Sequence, residues 1–521
     1  MRIPTIQGRI LIAGKIRGEG FARKPVKSPL AFRNPDGSLE FPVIGETPNC
    51  DSAQFMEAVD AATKAWDKGR GDWPTARMEE RINAVVRLRH LIAEKRDLLA
   101  KLLMWEIAKT QADAYAEVDR TLLYIDDTVE AVKQLDRDSS GIQFSGGIMA
   151  QIRRMPLGVV LCMGPFNYPF NETFATLIPA LILGNCIVLK APRFGQLFWD
   201  VLLEPFHQSV PAGVVNIVNG PGRQIVSPAI QSGKIDVLAF IGSSPVANQI
   251  KLTHPHPHRF RSVLGLDAKN PAIVLADAQI ENAVDECIKG SLSFNGQRCT
   301  ALKMIYVHRD ISASFIEKFS AKVEALKCGM PWEAGVTITP LPDLEKHKQL
   351  TAYVADAVSQ GARLANPGRG AQIAGSLFAP AVLADVTPNM KVAQEEQFGP
   401  VVPIAVYDRI TDVEEALVAS PYGMQASIFG QDPAIIGNLI DGLSNQVCRI
   451  NLNTQCQRGP DVYPFTGRKG SAEGTLSVTD ALRQFSIRAM VAAKQDAHGK
   501  LLFNAILEQD HSHFLNTHIV L

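Results

Sequence analysis

From residue 159 onward, short and nearly unbroken apolar runs alternate with stretches whose apolar positions recur every three or four residues. The runs at 159–163, 186–189, 214–218 and 237–241 have strand length and no polar alternation, the pattern of strands covered on both faces. The intervening segments, 171–183, 197–209 and 224–232, have helical spacing. Strand, helix, strand in succession predicts an α/β fold built on a parallel, doubly wound sheet that takes its ligand at the strand carboxyl ends. A second αβ series starts at Asn270-Pro271-Ala272-Ile273-Val274-Leu275 and runs to about residue 450.

Around this frame the pattern changes. Residues 1–50 are rich in Pro and Gly and predict short strand-like pieces wrapping the first unit. From Ser52 to Asp136 helical spacing returns, as in Ala84, Val85, Leu88, Leu91 and Ile92, with 117–135 the last of several amphipathic helices. Residues 141–158 alternate around glycines and the pair Arg153-Arg154, which predicts a hairpin. The segment from Asn451 carries Gln457-Arg458-Gly459-Pro460, then a helix and a strand, and residues 495–521 contain His498, His511, His513 and His518.

Composition narrows the function. A chain of 521 residues is too long for one core, so two or three domains are expected. Lys plus Arg equals Asp plus Glu at 53 each, which leaves no net field to attract nucleic acid or an anionic membrane and favours self-association. The eight cysteines are scattered without a Cys-x-x-Cys pair, the usage of a reducing compartment. Arg2, Arg9, Lys15 and Arg17 interrupt the N-terminal apolar pieces, and Pro179, Gly184 and Asn185 break the most apolar region, so neither a signal peptide nor a membrane span is predicted. A cytoplasmic enzyme is the expectation. His254-Pro255-His256-Pro257-His258 reads as a stiff polar loop, with no carboxylate or cysteine spaced to complete a metal site.

Chemistry concentrates at Phe294-Asn295-Gly296-Gln297-Arg298-Cys299-Thr300. Asn295-Gly296-Gln297 ends a helical pattern at 280–293 and a strand pattern follows at 302–307, placing Cys299 on an exposed connection. A nucleophilic cysteine acts as thiolate and needs a nearby cation or helix N-terminus; Arg298 is the adjacent cation.

Gly296-Gln297-Arg298-Cys299, preceded by Gly164-Pro165-Phe166-Asn167-Tyr168-Pro169 and followed by Glu395-Glu396-Gln397-Phe398-Gly399-Pro400, resembles the aldehyde dehydrogenase superfamily in order and spacing, from about Asp51 to about Lys494. The resemblance implies two Rossmann-like domains: 1–140 with 159–264 binding a dinucleotide, and 265–450 catalytic. Residues 141–158 and 480–521 would form an oligomerisation arm and C-terminal extension, giving a homo-oligomer, dimer or tetramer. It also implies Cys299 as nucleophile, Asn167 as oxyanion donor, Gly242 and Ser243 at the pyrophosphate, Lys190 at the adenosine ribose, and Glu396 and Phe398 at the nicotinamide ribose and ring. Where NAD-preferring relatives often carry Glu, this chain has Arg193, so NADP is expected over NAD.

Arg120, Tyr168, Arg298 and Arg458 resemble the phosphate-binding set of the non-phosphorylating glyceraldehyde-3-phosphate dehydrogenases, implying a small phosphorylated aldehyde and a place in glycolysis. One departure is marked. The general base of the superfamily is the glutamate of a Glu-Leu-Gly-Gly-Lys run, where this chain reads Gly265-Leu266-Asp267-Ala268-Lys269. Asp267 is the expected substitute, and Glu473 acting through water is the other. Transfer of the thioester to coenzyme A, or a silent dinucleotide-binding scaffold, are the alternative functions.

Overall fold

In the computed structural model, which describes residues 3–518 and 520, the two strand series form two sheets. Met1, Arg2, Ile519 and Leu521 lie outside the described residues, so the expectation attached to Arg2 has no structural counterpart. The strands Val159–Met163, Cys186–Lys190, Val215–Val218, Val237–Ile241 and Arg261–Gly265 pair in parallel. Val159–Met163 lies between Cys186–Lys190 and Val237–Ile241, so the strand order reverses there and a crevice opens at the carboxyl ends.

Both faces of this sheet are covered, which is why its strands show no alternation. Val160, Cys162, Ile187 and Leu189 pack with Phe174 and Leu177 of the helix Asn171–Ile182. Val159, Leu161, Cys186 and Val188 face the other way, onto Phe55, Ala58 and Val59 of the helix Ser52–Trp66. The N-terminal pieces do more than wrap the surface: Ile10–Ile12 and Lys15–Arg17 add antiparallel strands at one edge, and Ala472–Glu473 adds one beside Arg261–Gly265 at the other.

The second sheet has seven strands, with Asn270–Val274 and Leu302–His308 adjacent and parallel at its centre. The predicted hairpin forms from Gln143–Ser145 and Ile148–Pro156, and Ser486–Lys494 joins it as a third antiparallel strand. The helix Ala497–Glu508 of the C-terminal extension buries Phe503 with Met149 and Leu515 against this arm. The helix predicted at 117–135 is longer, Gln111–Ser140; its N-cap Thr110 accepts a hydrogen bond from the Asp113 amide. It carries Glu117 to the start of the helix Asn171–Ile182 and Arg120 to Asp461. Among the described residues no helix is long and apolar enough to cross a membrane.

Candidate active site

A cavity of about 570 Å³ occupies the crevice, lined among others by Met163, Asn167, Gly242, Asp267, Cys299 and Glu396. The first sheet contributes the loops that leave Val159–Met163 and Val237–Ile241. The second contributes the segment entering Leu302–His308. The cavity therefore lies between the two sheets.

Cys299 is held by an unusual backbone. Phe294, Asn295 and Gly296 have φ of 48°, 56° and 69°, three successive left-handed residues. A Cβ on Gly296 would stand 2.7 Å from the Ser291 carbonyl oxygen and 2.8 Å from that of Gly399, so only glycine fits. Left-handed non-glycine residues cost about 1–3 kcal/mol each. Asn295 offsets this by accepting from the Thr339 amide at 2.9 Å and donating to Thr339 Oγ1 at 3.1 Å. The Cys299 carbonyl is fixed in turn, accepting from Asn270 Nδ2 at 2.7 Å and Lys303 Nζ at 3.1 Å.

Two expectations for the nucleophile need correction. Cys299 is half-buried in the cavity wall instead of standing on an exposed connection. Burial, reinforced by the charge of Glu172 and opposed by Lys303 and Arg458, pushes its thiol up to about 11. Nor does Arg298 serve the thiol. Its guanidinium donates to the Gly290 carbonyl at 2.9 Å and Gln455 Oε1 at 3.2 Å, because the carboxyl end of the helix Ile280–Leu292 offers unpaired carbonyls.

Asn167 is buried, and its Nδ2 donates to the Gln297 carbonyl at 2.8 Å, tying the oxyanion donor to the nucleophile loop. Below it, Glu117 accepts from the Phe170 and Asn171 amides at 3.0 and 3.2 Å. Glu117 also forms a fully buried ion pair with Lys109, whose ammonium lies 3.4 Å from the Tyr168 ring centroid. Tyr168 is thus fixed by a cation beneath its face, and burial raises its phenol above the usual range.

At the cofactor end, Lys190 is buried and makes no hydrogen bond to any described residue; burial, with Lys24 adding repulsion, pulls it down to about 8. Arg193 is exposed at the mouth, 3.6 Å from Asp343 and over the Phe194 ring. Ser243 caps the helix Ser244–Thr253 without a side-chain bond, and Gly242 donates to the Gly265 carbonyl at 3.0 Å. Glu396 accepts from Lys303 Nζ at 2.5 Å and the Ala268 amide at 3.2 Å. Lys269 anchors the same turn through the Glu395 carbonyl and Gln397 Oε1, each 2.7 Å away, and burial pulls its ammonium down to about 7. Phe398 packs edge-on against Phe166 at 5.9 Å. A buried ammonium without an acceptor among the described residues and a guanidinium at the rim fit a phosphorylated dinucleotide.

Both expected bases already have partners. Asp267 lines the cavity, but its Oδ2 accepts from the Ser244 amide at 2.8 Å, at the helix N-terminus. Glu473 is exposed, paired with Lys251 and accepting from Ser262 Oγ at 2.6 Å.

At the substrate end the structure brings Arg120 and Arg458 together around Asp461. Arg120 grips it with two bonds of 2.8 Å, and Arg458 Nε donates to it at 3.0 Å. Arg458 also pairs with Glu172, a residue the sequence reading passed over inside an apolar helix. The only signal was an acidic residue in a helical first turn, which ordinarily complements the helix dipole. Lys303, Lys109 and Glu117 were missed in the same way, their roles being set by partners distant in sequence.

Fold and site together fit a dinucleotide-dependent oxidoreductase with Cys299 in the wall of its cavity. The chain belongs to the aldehyde dehydrogenase family, whose sequence pattern matches residues 31–491. It is 33% identical to the NADP-dependent glyceraldehyde-3-phosphate dehydrogenase of Streptococcus equinus, across 87% of this chain and 93% of that protein. It is 28% identical to malonate-semialdehyde dehydrogenase 1 of Geobacillus kaustophilus, again across 87% and 93%. Among solved structures it is similar to NADP-dependent glyceraldehyde-3-phosphate dehydrogenase from Bacillus halodurans complexed with NADP, with a TM-score of 0.85, 29% identity, and coverage of 94% of this chain and 100% of the other.

Proposed function

We propose that the chain oxidises D-glyceraldehyde 3-phosphate to 3-phosphoglycerate with NADP. The observation that carries this reading is the order of groups along the site: Lys190 and Arg193 at one end of the cavity, Cys299 and Asn167 within it, and Arg458 acting on the thiol while joined through Asp461 to Arg120. Curated relatives of that name support it. Lys190, Arg193, Ser243, Glu396 and Phe398 would hold NADP, which supplies the hydride acceptor.

Cys299 gives its proton to solvent, and the thiolate Sγ bonds to the aldehyde carbon as the carbonyl electron pair moves to its oxygen. Asn167 gives one N–H to Gln297 and keeps a second for the oxyanion, beside the Cys299 amide. Arg120, the more exposed guanidinium, turns from Asp461 to the substrate phosphate. Exposed Phe144 and Met490 on the arm support assembly as a dimer or tetramer, measurable by light scattering.

Steady-state kinetics test the reading with NADP and NAD, and with D-glyceraldehyde 3-phosphate and glyceraldehyde. The expected result is higher kcat/KM for NADP and for the phosphorylated aldehyde. Equal values for the two aldehydes would remove the phosphorylated substrate, and a preference for NAD would remove NADP. Gly265, in place of the usual glutamate, favours one second reading, transfer of the acyl group to coenzyme A. A coenzyme A thioester product, formed only when coenzyme A is present, would establish it. No NADPH formation from any of a panel of aldehydes would leave a silent scaffold.

A further inference from the structure

We infer that Glu172 is the general base that releases the acyl group from Cys299, in place of the glutamate missing at position 265; the inference rests on the aldehyde-oxidising reading above. A thioester in a closed site hydrolyses slowly unless a base takes a proton from the attacking water, and that assistance is worth about 10²–10⁴ in rate. Position 265 offers nothing. Gly265 ends a strand, has no side chain, and its carbonyl accepts from Gly242.

The other carboxylates near the cavity are each tied to a group with another task, Asp267 and Glu396 through one oxygen and Asp461 through both. Asp267 is bound to the amide at the start of Ser244–Thr253, where the cofactor phosphates belong. Glu396 is held by Lys303 and the Ala268 amide. Asp461 is shared by Arg120 and Arg458.

Glu172 shares with Asp267 and Glu396 a place in the cavity wall and one unengaged oxygen, and differs in its arginine partner and in its effect on the thiol. It lines the same cavity as Cys299. Among the charges that act on the thiol its influence is the largest. It is 94% buried by its 6% exposure, yet only Oε2 is engaged, by Arg458, which leaves Oε1 as an acceptor. Arg458 orients the carboxylate, and Arg458 is itself held by Asp461 and the Leu476 carbonyl at 3.2 Å. The backbone beneath is rigid, because Glu117 fixes the Phe170 and Asn171 amides immediately before it.

The step balances without a further reactant. The water oxygen bonds to the thioester carbon as one water proton passes to Glu172. The tetrahedral intermediate then breaks its C–S bond to give the carboxylic acid and the Cys299 thiolate. Glu172 returns its proton to the thiolate, and the acid ionises to solvent.

Gly265 supplies the test. A Cβ there would meet Ile241 and Leu476 side chains at 3.4–3.6 Å, ordinary contact, so Gly265→Glu is accommodated. Rapid mixing of wild-type enzyme with NADP and aldehyde, without coenzyme A, should give a burst of NADPH near the active-site concentration and then a slower steady rate. Glu172→Gln should keep the burst and lower the steady rate about 10²–10³-fold. Gly265→Glu added to Glu172→Gln should restore at least tenfold of it while Gly265→Glu alone gains little, a dependence that a merely structural role of Glu172 would not produce. An unchanged steady rate in Glu172→Gln would overturn the inference, as would failure of the double variant to recover while its burst persists. Absence of any burst in the wild type with either aldehyde would instead count against the parent reading.

Discussion

Asp461 accepts two hydrogen bonds of 2.8 Å from Arg120, so this guanidinium, more exposed than that of Arg458, already has a carboxylate partner. On the proposed reading a dianionic phosphate would displace this carboxylate, which keeps a second partner in Arg458, from which it accepts at 3.0 Å. Arg120→Ala should therefore raise KM for the phosphorylated aldehyde about 10–100-fold, the worth of one or two charge-assisted bonds, and leave glyceraldehyde nearly unaffected. Parallel KM measurements decide it, and equal losses would remove Arg120 from phosphate recognition.

Arg193 stands at the rim with only a 3.6 Å contact to Asp343, held over Phe194. Such a loose pair contributes little to folding, roughly 0–1 kcal/mol. Arg193→Glu should then fold normally while repelling a ribose 2′-phosphate and accepting from its free hydroxyl. The expected result is a loss of about 10–100-fold in kcat/KM for NADP, with NAD unchanged or improved. An unchanged cofactor ratio would assign the discrimination to Lys190 alone.

How legible was this site in the sequence? The unbroken apolar runs gave the parallel sheet because burial on both faces removes alternation, and Val159–Met163 is buried throughout. Cys299, Asn167 and Glu396 were recognisable because each lies inside a short motif whose chemistry is local. Partner choice was not legible. Glu172 meets Arg458 across 286 residues, and an acidic residue in an apolar helix reads as a dipole cap until its partner is seen. Arg298 misled for the opposite reason: adjacency to Cys299 in sequence says nothing of where a long side chain turns when helix carbonyls lie within reach. The length of Gln111–Ser140 was underestimated because its ends are polar, held by a cap and by the arm rather than by an apolar stripe.

Lys109 and Glu117 form a fully buried pair that carries both the Tyr168 ring and the start of the helix bearing Glu172. Removing one member leaves an uncompensated buried charge, which costs about 3–5 kcal/mol. Lys109→Met should lower the thermal midpoint by several degrees and depress kcat. Lys109→Met with Glu117→Gln should recover part of the stability, since no lone charge remains. Scanning calorimetry of the three proteins checks this, and additive losses in the double variant would show that the pair's burial is not the cause.

The last prediction concerns the thiol itself. Burial first, then the charge of Glu172, pushes Cys299 up to about 11, against an ordinary cysteine near 8.5–9. A raised thiol pKa means that the protonated form dominates below it, so at neutral pH only about one molecule in 10⁴ carries the thiolate in the ligand-free protein. Alkylation of Cys299 by iodoacetamide, followed peptide by peptide because Cys448 is exposed, should therefore climb about tenfold per pH unit from 7 through 10 with no plateau near 8.5. Glu172→Gln removes the negative charge that acts most on the thiol and should move the whole profile to lower pH, making the thiol react faster at neutrality even as turnover slows. NADP brings a positively charged nicotinamide ring to the same cavity and should act in the same direction. A plateau between pH 8 and 9 in the wild type would show that the cavity is wetter than its walls suggest, and that Lys303 and Arg458 already outweigh burial.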